Sequence, residues 1–287
     1  MDIPIISPVQ EIKHPLLTDK QIRLFVKRDD LIHPYISGNK WRKLKYTLQD
    51  ARLQDKTHLI TFGGAYSNHL LATACAGQLF GFVSTGWVRG ELTLPLNPVL
   101  SLCKSFGMKL IYSDRESYRD KKSIFTQHYQ NDPIAYFIDE GGASSLAVNG
   151  VAELIQELPE QYDFIFTACG TGATLAGIAL GLQQASLKSK AIGIAVLKGA
   201  DFLNDDIKAL IPMLNNWEAL LEHHHGGYAK TTTALQNWMA DFTAITQIPL
   251  EPVYTGKLFY AIFQLIATNH FAPHSRLLAI HTGGIIQ

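Results

Sequence analysis

Lys40 stands where a Gly38-Asn39 turn gives way to a helical pattern, and Lys43 follows three residues later on the same helical face. An amine at a helix N-terminus feels the positive end of the helix dipole, which favours its neutral, nucleophilic form. A solvated lysine is the ordinary alternative, and this segment alone leaves both open. The loop ACGTGATLAG, residues 168–177, runs from a strand into a helix. It offers backbone N–H groups and hydroxyls at a helix start, the arrangement that cradles phosphate. It is not a dinucleotide fingerprint, because Leu175 stands where GxGxxG requires glycine, and it is not a Walker loop, because no lysine follows the glycines. A structural tight turn would account for it equally.

Three further turns carry polar chemistry. In TFGGAYSNHLLATA, residues 61–74, Ser67, Asn68 and His69 sit at another strand-to-helix junction, where side-chain oxygens commonly cap the helix. The nucleophile elbow GxSxG is absent, since Ser67 follows Ala65-Tyr66. EPVYTGK supplies Tyr254, a group able to act as acid or base, and the hydroxyl of Thr255; HTGG supplies that of Thr282. His223, His224 and His225 are adjacent, so an extended chain sends them to alternating sides and no converging metal set is expected. A polar rim near the pocket is the expected role for them.

The elements that must position these groups alternate. Strand-like RLFVKRDD, HLITFGG, GFVSTGWV, MKLIYSD, AYFIDEGG, YDFIFTACG, KAIGIAVLK and RLLAIHTGG are separated by helical patterns at 39–54, 67–81, 97–107, 116–129, 146–158, 171–184, 233–247 and 257–270. Strands alternating with helices of that length imply βαβ crossovers and parallel sheets covered on both faces, an α/β fold. Ligands of such sheets bind at the carboxyl ends of the strands, where the glycine-rich turns lie. Trp217, Trp238 and the apolar positions of 257–270 are expected in the core.

Composition narrows the classes. The chain has 287 residues, 47% hydrophobic and 17% charged, enough to bury a sizeable core. Twenty-five basic residues balance twenty-five acidic ones, so no global charge calls for nucleic acid or an anionic membrane. Residues 164–187 carry no charge, but four glycines and three threonines there argue for a buried strand, loop and helix rather than a membrane span. Cys75, Cys103 and Cys169 have no CxxC spacing and fit a reducing compartment. The N-terminal MDIPIISPVQEIKH lacks a basic stretch followed by an apolar one, so a secretory leader is not expected. The expected location is the cytoplasm.

Read together, SGNKWRKLKY, GGAYSNH, the glycine loop at 170, VYTG and HTGG resemble the family of 1-aminocyclopropane-1-carboxylate deaminase and D-cysteine desulfhydrase, from about residue 27 to 284. The resemblance implies a pyridoxal 5'-phosphate enzyme of fold type II, with two open parallel-type sheets flanked by helices. It implies a large domain of residues 1–45 plus 146–287, a small inserted domain of 46–145, the cofactor between them, and a homodimer. By the same resemblance Lys40 forms the Schiff base, Asn68 lies by the cofactor's 3-hydroxyl, and Gly170, Thr171, Gly172, Ala173 and Thr174 hold its phosphate with help from Lys43. Ser67, Tyr228 and Tyr254 match residues acting near the substrate. The tyrosine turn departs from the family pattern as HHHGGYAK, and the sequence stops at Gln287 where relatives carry a further tail.

The implied substrate is a small amino acid. Deaminases of the family resemble VYEG with a leucine before the last glycine pair, whereas desulfhydrases carry threonines; this sequence has Thr255 and Thr282. A glutamate near the pyridine nitrogen favours its protonated, strongly electron-withdrawing form, and threonine offers only a hydroxyl. The implied reaction is therefore β-elimination from D-cysteine, giving pyruvate, ammonia and hydrogen sulfide. The alternatives are 1-aminocyclopropane-1-carboxylate deamination to 2-oxobutanoate, L-cysteate sulfo-lyase activity, or a catalytically inactive protein that keeps pyridoxal phosphate.

Overall fold

The computed structural model describes residues 2–285; Met1, Ile286 and Gln287, and with them the end of the chain, lie outside the described residues. Along the chain, β1 (Val9–Ile12), α1 (Pro15–Asp19) and β2 (Arg23–Lys27) lead into α2 (Asn39–Leu53). Next come β3 (His58–Gly64), α3 (Asn68–Phe80), β4 (Val83–Arg89), α4 (Pro98–Ser105), β5 (Lys109–Ser113), α5 (Lys121–Tyr129) and β6 (Ala135–Ile138). A 3-10 turn (Glu140–Gly142) and α6 (Ser145–Ala152) return to β7 (Phe164–Cys169), α7 (Ala173–Gln184), β8 (Lys190–Ala195), α8 (Phe202–Leu210) and β9 (Trp217–Leu220). The chain closes with α9 (Thr233–Thr246), α10 (Thr255–Ala267) and β10 (Arg276–Ile280).

The strands form two sheets, six-stranded in the order β1-β2-β10-β7-β8-β9 and four-stranded in the order β5-β4-β3-β6. Every pairing is parallel except β1 with β2. A parallel sheet must be covered on both faces, and β7 shows how: Ile165 faces Leu175, Ile178 and Leu182 of α7, while Phe166 faces Leu258, Phe259 and Ile262 of α10. Each such side chain, wholly removed from water, contributes about 2 kcal/mol. Side-chain caps fix where helices begin: Ser67, Asn97, Asp120, Ser144 and Thr232 each accept a backbone N–H three residues on.

α2 is gripped from two sides. Trp41, Leu44 and Leu48 bury their stripe against Leu59 of β3 and Ala72 and Ala76 of α3. The opposite side meets α6 so closely that a Cβ on Gly150 would fall 2.0 Å from the Arg42 carbonyl oxygen.

Three local expectations differ. The helix expected over 116–129 is broken: residues 117–119 form a 3-10 turn, and Asp120 starts α5 by capping Ser123 N–H. The helix expected over 146–158 is α helical only to Ala152 and tightens to 3-10 over Glu153–Glu157. α1, β1 and β9 have five residues or fewer each and too little periodicity to stand out in the sequence, and α8, nine residues with Leu203, Ile207 and Leu210 on one face, was passed over although its pattern is amphipathic. Trp217 and Trp238 are only partly buried, although both pack against the core. Residues 164–187 form β7, the glycine turn and α7, and no helix among the described residues is long and apolar enough to cross a membrane.

Candidate active site

The site begins where two turns interlock. β2 and β10 run side by side in register, Ile280 beside Lys27; β10 leads into the Gly283-Gly284 turn, and the segment after β2 reaches Gly38 at the start of α2. Gly38 adopts φ +57, and a Cβ there would fall 1.9 Å from the Thr282 carbonyl oxygen. In return, Gly284 N–H donates to Ser37 Oγ at 3.1 Å. Only glycine permits that approach at that backbone angle. The contact fixes the start of α2, and with it Lys40, beside Thr282. Asn39 Nδ2 then reaches across to donate to Thr174 Oγ1 at 2.7 Å, tying the first turn of α2 to the first turn of α7.

A cavity of about 1100 Å³ opens at the carboxyl ends of both sheets. It brings together Lys40, Lys43, Ser67, Asn68, Gly170, Thr171, Gly172, Thr174, Tyr228, Tyr254 and Thr282, eleven of the thirteen residues singled out from sequence. Ala173 does not line it; as the first residue of α7 it is fully buried behind the glycine turn. Thr255 does not line it either. It too is fully buried, and its hydroxyl turns to Glu251, 3.3 Å from Oε1.

The electrostatics demand an anion. Burial pushes the Lys40 amine down from 10.5 to about 8. Lys43 is only 3% exposed, and burial together with the charge of Lys40 drives it well below the ordinary lysine range. Its Nζ donates to the Gly141 carbonyl at 3.1 Å. Among the described residues neither amine has a carboxylate within 4.0 Å. The turn between them and α7 has Gly172 in the left-handed region at φ +73 and no side-chain cap, so the N-terminal N–H groups of α7 have no side-chain acceptor. Ammonium groups and N–H donors without a carboxylate suit a phosphate, and a buried amine near pH 8 suits a carbonyl carbon.

The remaining groups are held in defined states. Ser67 Oγ accepts from Leu70 N–H at 3.3 Å, which leaves its own proton free for the cavity. Tyr254 and Tyr228 meet edge to face, centroids 6.2 Å apart. Burial raises both hydroxyls, Tyr254 the further, so both keep their protons. The Tyr254 ring passes within 3.4 Å of where a Gly170 Cβ would fall, so it lies over the phosphate-type loop.

Three contributors, His69, Glu251 and Lys257, had no role assigned to them from the sequence. His69 is buried, Nε2 lies 2.8 Å from Thr61 Oγ1, and Nδ1 has no partner. Burial, then the charges of Lys40 and Lys43, hold this imidazole neutral. Glu251 starts α10: Oε1 accepts from Tyr254 and Thr255 N–H at 2.7 and 2.6 Å, and Oε2 from Val253 N–H at 2.7 Å. Lys257 is fully buried and donates to the carbonyls of Gly227 and Val196 at 2.7 and 3.3 Å, fixing the turn before Tyr228. A lysine inside an otherwise apolar helical pattern was the available signal. His223, His224 and His225 do not line the cavity, whose wall starts at Gly226. No group of three or more potential metal ligands forms among the described residues.

The family model described as pyridoxal-phosphate dependent enzyme matches residues 6–283. A bifunctional D-cysteine desulfhydrase/1-aminocyclopropane-1-carboxylate deaminase of Arabidopsis thaliana is 30% identical over 290 residues, 92% of this chain and 72% of that one. A D-cysteine desulfhydrase of Klebsiella pneumoniae is 28% identical over 307 residues, 94% of this chain and 89% of the other. A crystal structure of an ACC deaminase homologue superposes with a TM-score of 0.85 at 28% identity, covering 99% of this chain and 90% of that chain.

Proposed function

The chain belongs to the pyridoxal-phosphate-dependent enzyme family, and from that membership we propose that it is a lyase eliminating the β-substituent of a small amino acid. D-cysteine is the substrate that fits best, with pyruvate, ammonia and hydrogen sulfide as products. Residues 170–174, with Lys43, would hold the cofactor's phosphate, Asn68 its ring hydroxyl and Lys40 its aldehyde carbon. Bound there, the cofactor supplies an electron sink that acidifies the α-hydrogen of an attached amino acid. Lys40, whose amine burial already pushes down to about 8 in the cofactor-free chain, would take that proton at Nζ once the substrate has displaced it. Tyr228 and Tyr254 keep their protons and can donate one to a departing sulfur. Ser67, whose oxygen is engaged by Leu70 N–H, has its hydroxyl proton available to hold the substrate's carboxylate.

The observation that carries elimination is the neutral wall where β10 meets α10. Thr282 faces the cavity, and Glu251, the carboxylate behind that wall, spends its oxygens on three backbone N–H groups. Without a free carboxylate the ring nitrogen gains little acid support, and a substrate with a good leaving group needs least of it. Cyclopropane deamination is the second reading, favoured by the name of the structural neighbour, while the name of the Arabidopsis relative carries both activities. We also place the domain division at residues 1–45 plus 146–287 against 46–145, and expect a homodimer in the cytoplasm.

The test starts with a visible absorption spectrum of purified protein before and after borohydride, beside Lys40→Ala. A yellow band that borohydride removes and the variant lacks is expected. D-Cysteine should then release pyruvate and sulfide faster than 1-aminocyclopropane-1-carboxylate releases 2-oxobutanoate. The reverse order would overturn the desulfhydrase reading, and a band unchanged in Lys40→Ala would overturn the assignment of Lys40.

A further inference from the structure

His281 follows β10, directly precedes Thr282, and is wholly buried. Its backbone N–H donates to the Lys27 carbonyl at 3.0 Å, carrying the ladder between β10 and β2 one step further. Nε2 lies 2.7 Å from the Pro249 carbonyl oxygen, which can only accept, so that nitrogen carries the ring's proton. Nδ1 accepts the Gly283 N–H at 3.3 Å. The neutral imidazole is thus specified at both nitrogens. Through it the turn that grips the start of α2 is tied to the segment leading into Glu251 and Tyr254. Lys40 follows one end of that tie, and Tyr254 follows the other.

Nδ1 has a second neighbour. Asp30 Oδ1 lies 3.5 Å from it, held there by Arg28, whose Nε and Nη2 donate to the two Asp30 oxygens at 2.8 and 2.7 Å. A neutral Nδ1 offers a lone pair, which takes the Gly283 N–H and cannot bond a carboxylate. A protonated Nδ1 can bond Asp30 and must release Gly283. The two partners are therefore alternatives, and one proton selects between them. The other elements packed here bring charges already engaged: Lys27 turns to Glu157, Asp29 to Arg42, Lys257 to Gly227, and Glu251 to the first N–H groups of α10. α10 itself presents the Phe259 ring, centroid 6.1 Å away. Burial outweighs the pull of Asp30, with Arg28 also opposing a proton, and holds the imidazole below its ordinary 6.5. We propose that neutral His281 is a positioning residue holding the Thr282 turn against the Tyr254 segment, and that a proton on Nδ1 transfers the ring to Asp30 and frees the turn. The proposal needs the cofactor's place beside Lys40 and Thr282, and is independent of which amino acid reacts. Because the unfolded ring takes a proton more readily than the folded one, the cofactor-free fold loses stability as pH falls below 6.5.

Nitrogen NMR of cofactor-free protein labelled at histidine and glycine reads the ring and the turn together. At about pH 8 one imidazole should show a protonated Nε2 and a lone pair at Nδ1, with signals missing from His281→Gln and His281→Asn. Below pH 6.5 that Nδ1 should take up a proton while the Gly283 amide shifts with the same midpoint. Asp30→Asn removes the carboxylate that receives the charged ring, so it should move this midpoint to lower pH and leave the neutral form unchanged. The two histidine variants divide the ring's contacts. Glutamine reaches as far as Nε2 and can donate to Pro249, whereas asparagine reaches only as far as Nδ1 and can accept from Gly283. Pyridoxal phosphate, titrated by its visible band at about pH 8, should bind about tenfold more weakly to His281→Gln and by a smaller factor to His281→Asn. A ring with its proton on Nδ1, a Gly283 amide indifferent to the ring's proton, a midpoint unmoved by Asp30→Asn, or full cofactor affinity in His281→Gln each overturns the proposal. Should a histidine variant fail to fold, the pH course of the parent beside Asp30→Asn still decides. A parent that binds no pyridoxal phosphate overturns the siting of the cofactor instead, and the NMR outcomes separate that failure from this one.

Discussion

Arg42 lies two residues beyond Lys40 in α2, and its guanidinium is only 1% exposed. Nε and Nη2 donate to the Asp29 carboxylate at 2.7 and 2.8 Å, and Nη1 and Nη2 to Glu157 at 2.6 and 2.8 Å. Lys27 reaches Glu157 at 2.8 Å, and Ser7 Oγ donates to Asp29 at 2.6 Å. Such a network gains little net stability, because desolvating its members offsets most of their attraction. Breaking it is another matter. Arg42→Met would leave Asp29, itself fully buried, with a single hydroxyl for its charge. The expected loss is about 3–5 kcal/mol, a large share of the roughly 5–15 kcal/mol that holds a domain folded. Adding Asp29→Leu removes the orphaned charge while Glu157 keeps Lys27, so the double variant should regain about 2 kcal/mol or more. Urea unfolding of the cofactor-free proteins, followed by circular dichroism and by tryptophan fluorescence, reads both values without a contribution from cofactor binding. A single variant within about 1 kcal/mol of the parent, or a double variant no more stable than the single, would refute the reasoning.

Gly38→Ala should cost stability and abolish the visible band together, because its Cβ would meet the Thr282 carbonyl at 1.9 Å where α2 and β10 are joined. Gly90→Ala, at φ +108 with nothing within 4 Å, should cost only the backbone strain of about 1–2 kcal/mol and keep the band. Equal effects on the band from both would show that the interlock is unimportant. The rate at which cofactor-free protein takes up pyridoxal phosphate should rise about tenfold per pH unit below about 8 and flatten above it, following the neutral Lys40 amine. The unfolded amine keeps its proton to 10.5, so the same group makes the cofactor-free fold more stable as pH rises from about 8 to 10.5. A rate still climbing at pH 10 would mean that burial leaves Lys40 unshifted.

The alternation of elements and the glycine turns were legible because each rests on a local signal, an apolar run ending in glycine and then a capped or dipole-favoured helix start, whereas the interlock of the Gly38 and Thr282 turns joins residues far apart in sequence and had no such signal. α1, β1 and β9 were not, because elements of four or five residues carry too little periodicity to stand out. Thr255 shows a different limit. Its position in VYTG placed its hydroxyl toward the cofactor, yet Glu251, four residues earlier, takes up both the N–H and the hydroxyl of Thr255. A carboxylate just ahead of a helical run is a capping signal, and weighing it would have turned that side chain inward. The charge of the cavity was hidden for a third reason. Arg89, Lys40 and Lys43 are scattered through a neutral sequence, and only the parallel order of the strands collects them at one edge. All strands but β1 point the same way within their sheets, so every βα turn opens toward that edge with the N-terminus of a helix, adding partial positive charge to the full charges of the side chains. An anionic cofactor is thus favoured by the topology before any single contact to it forms.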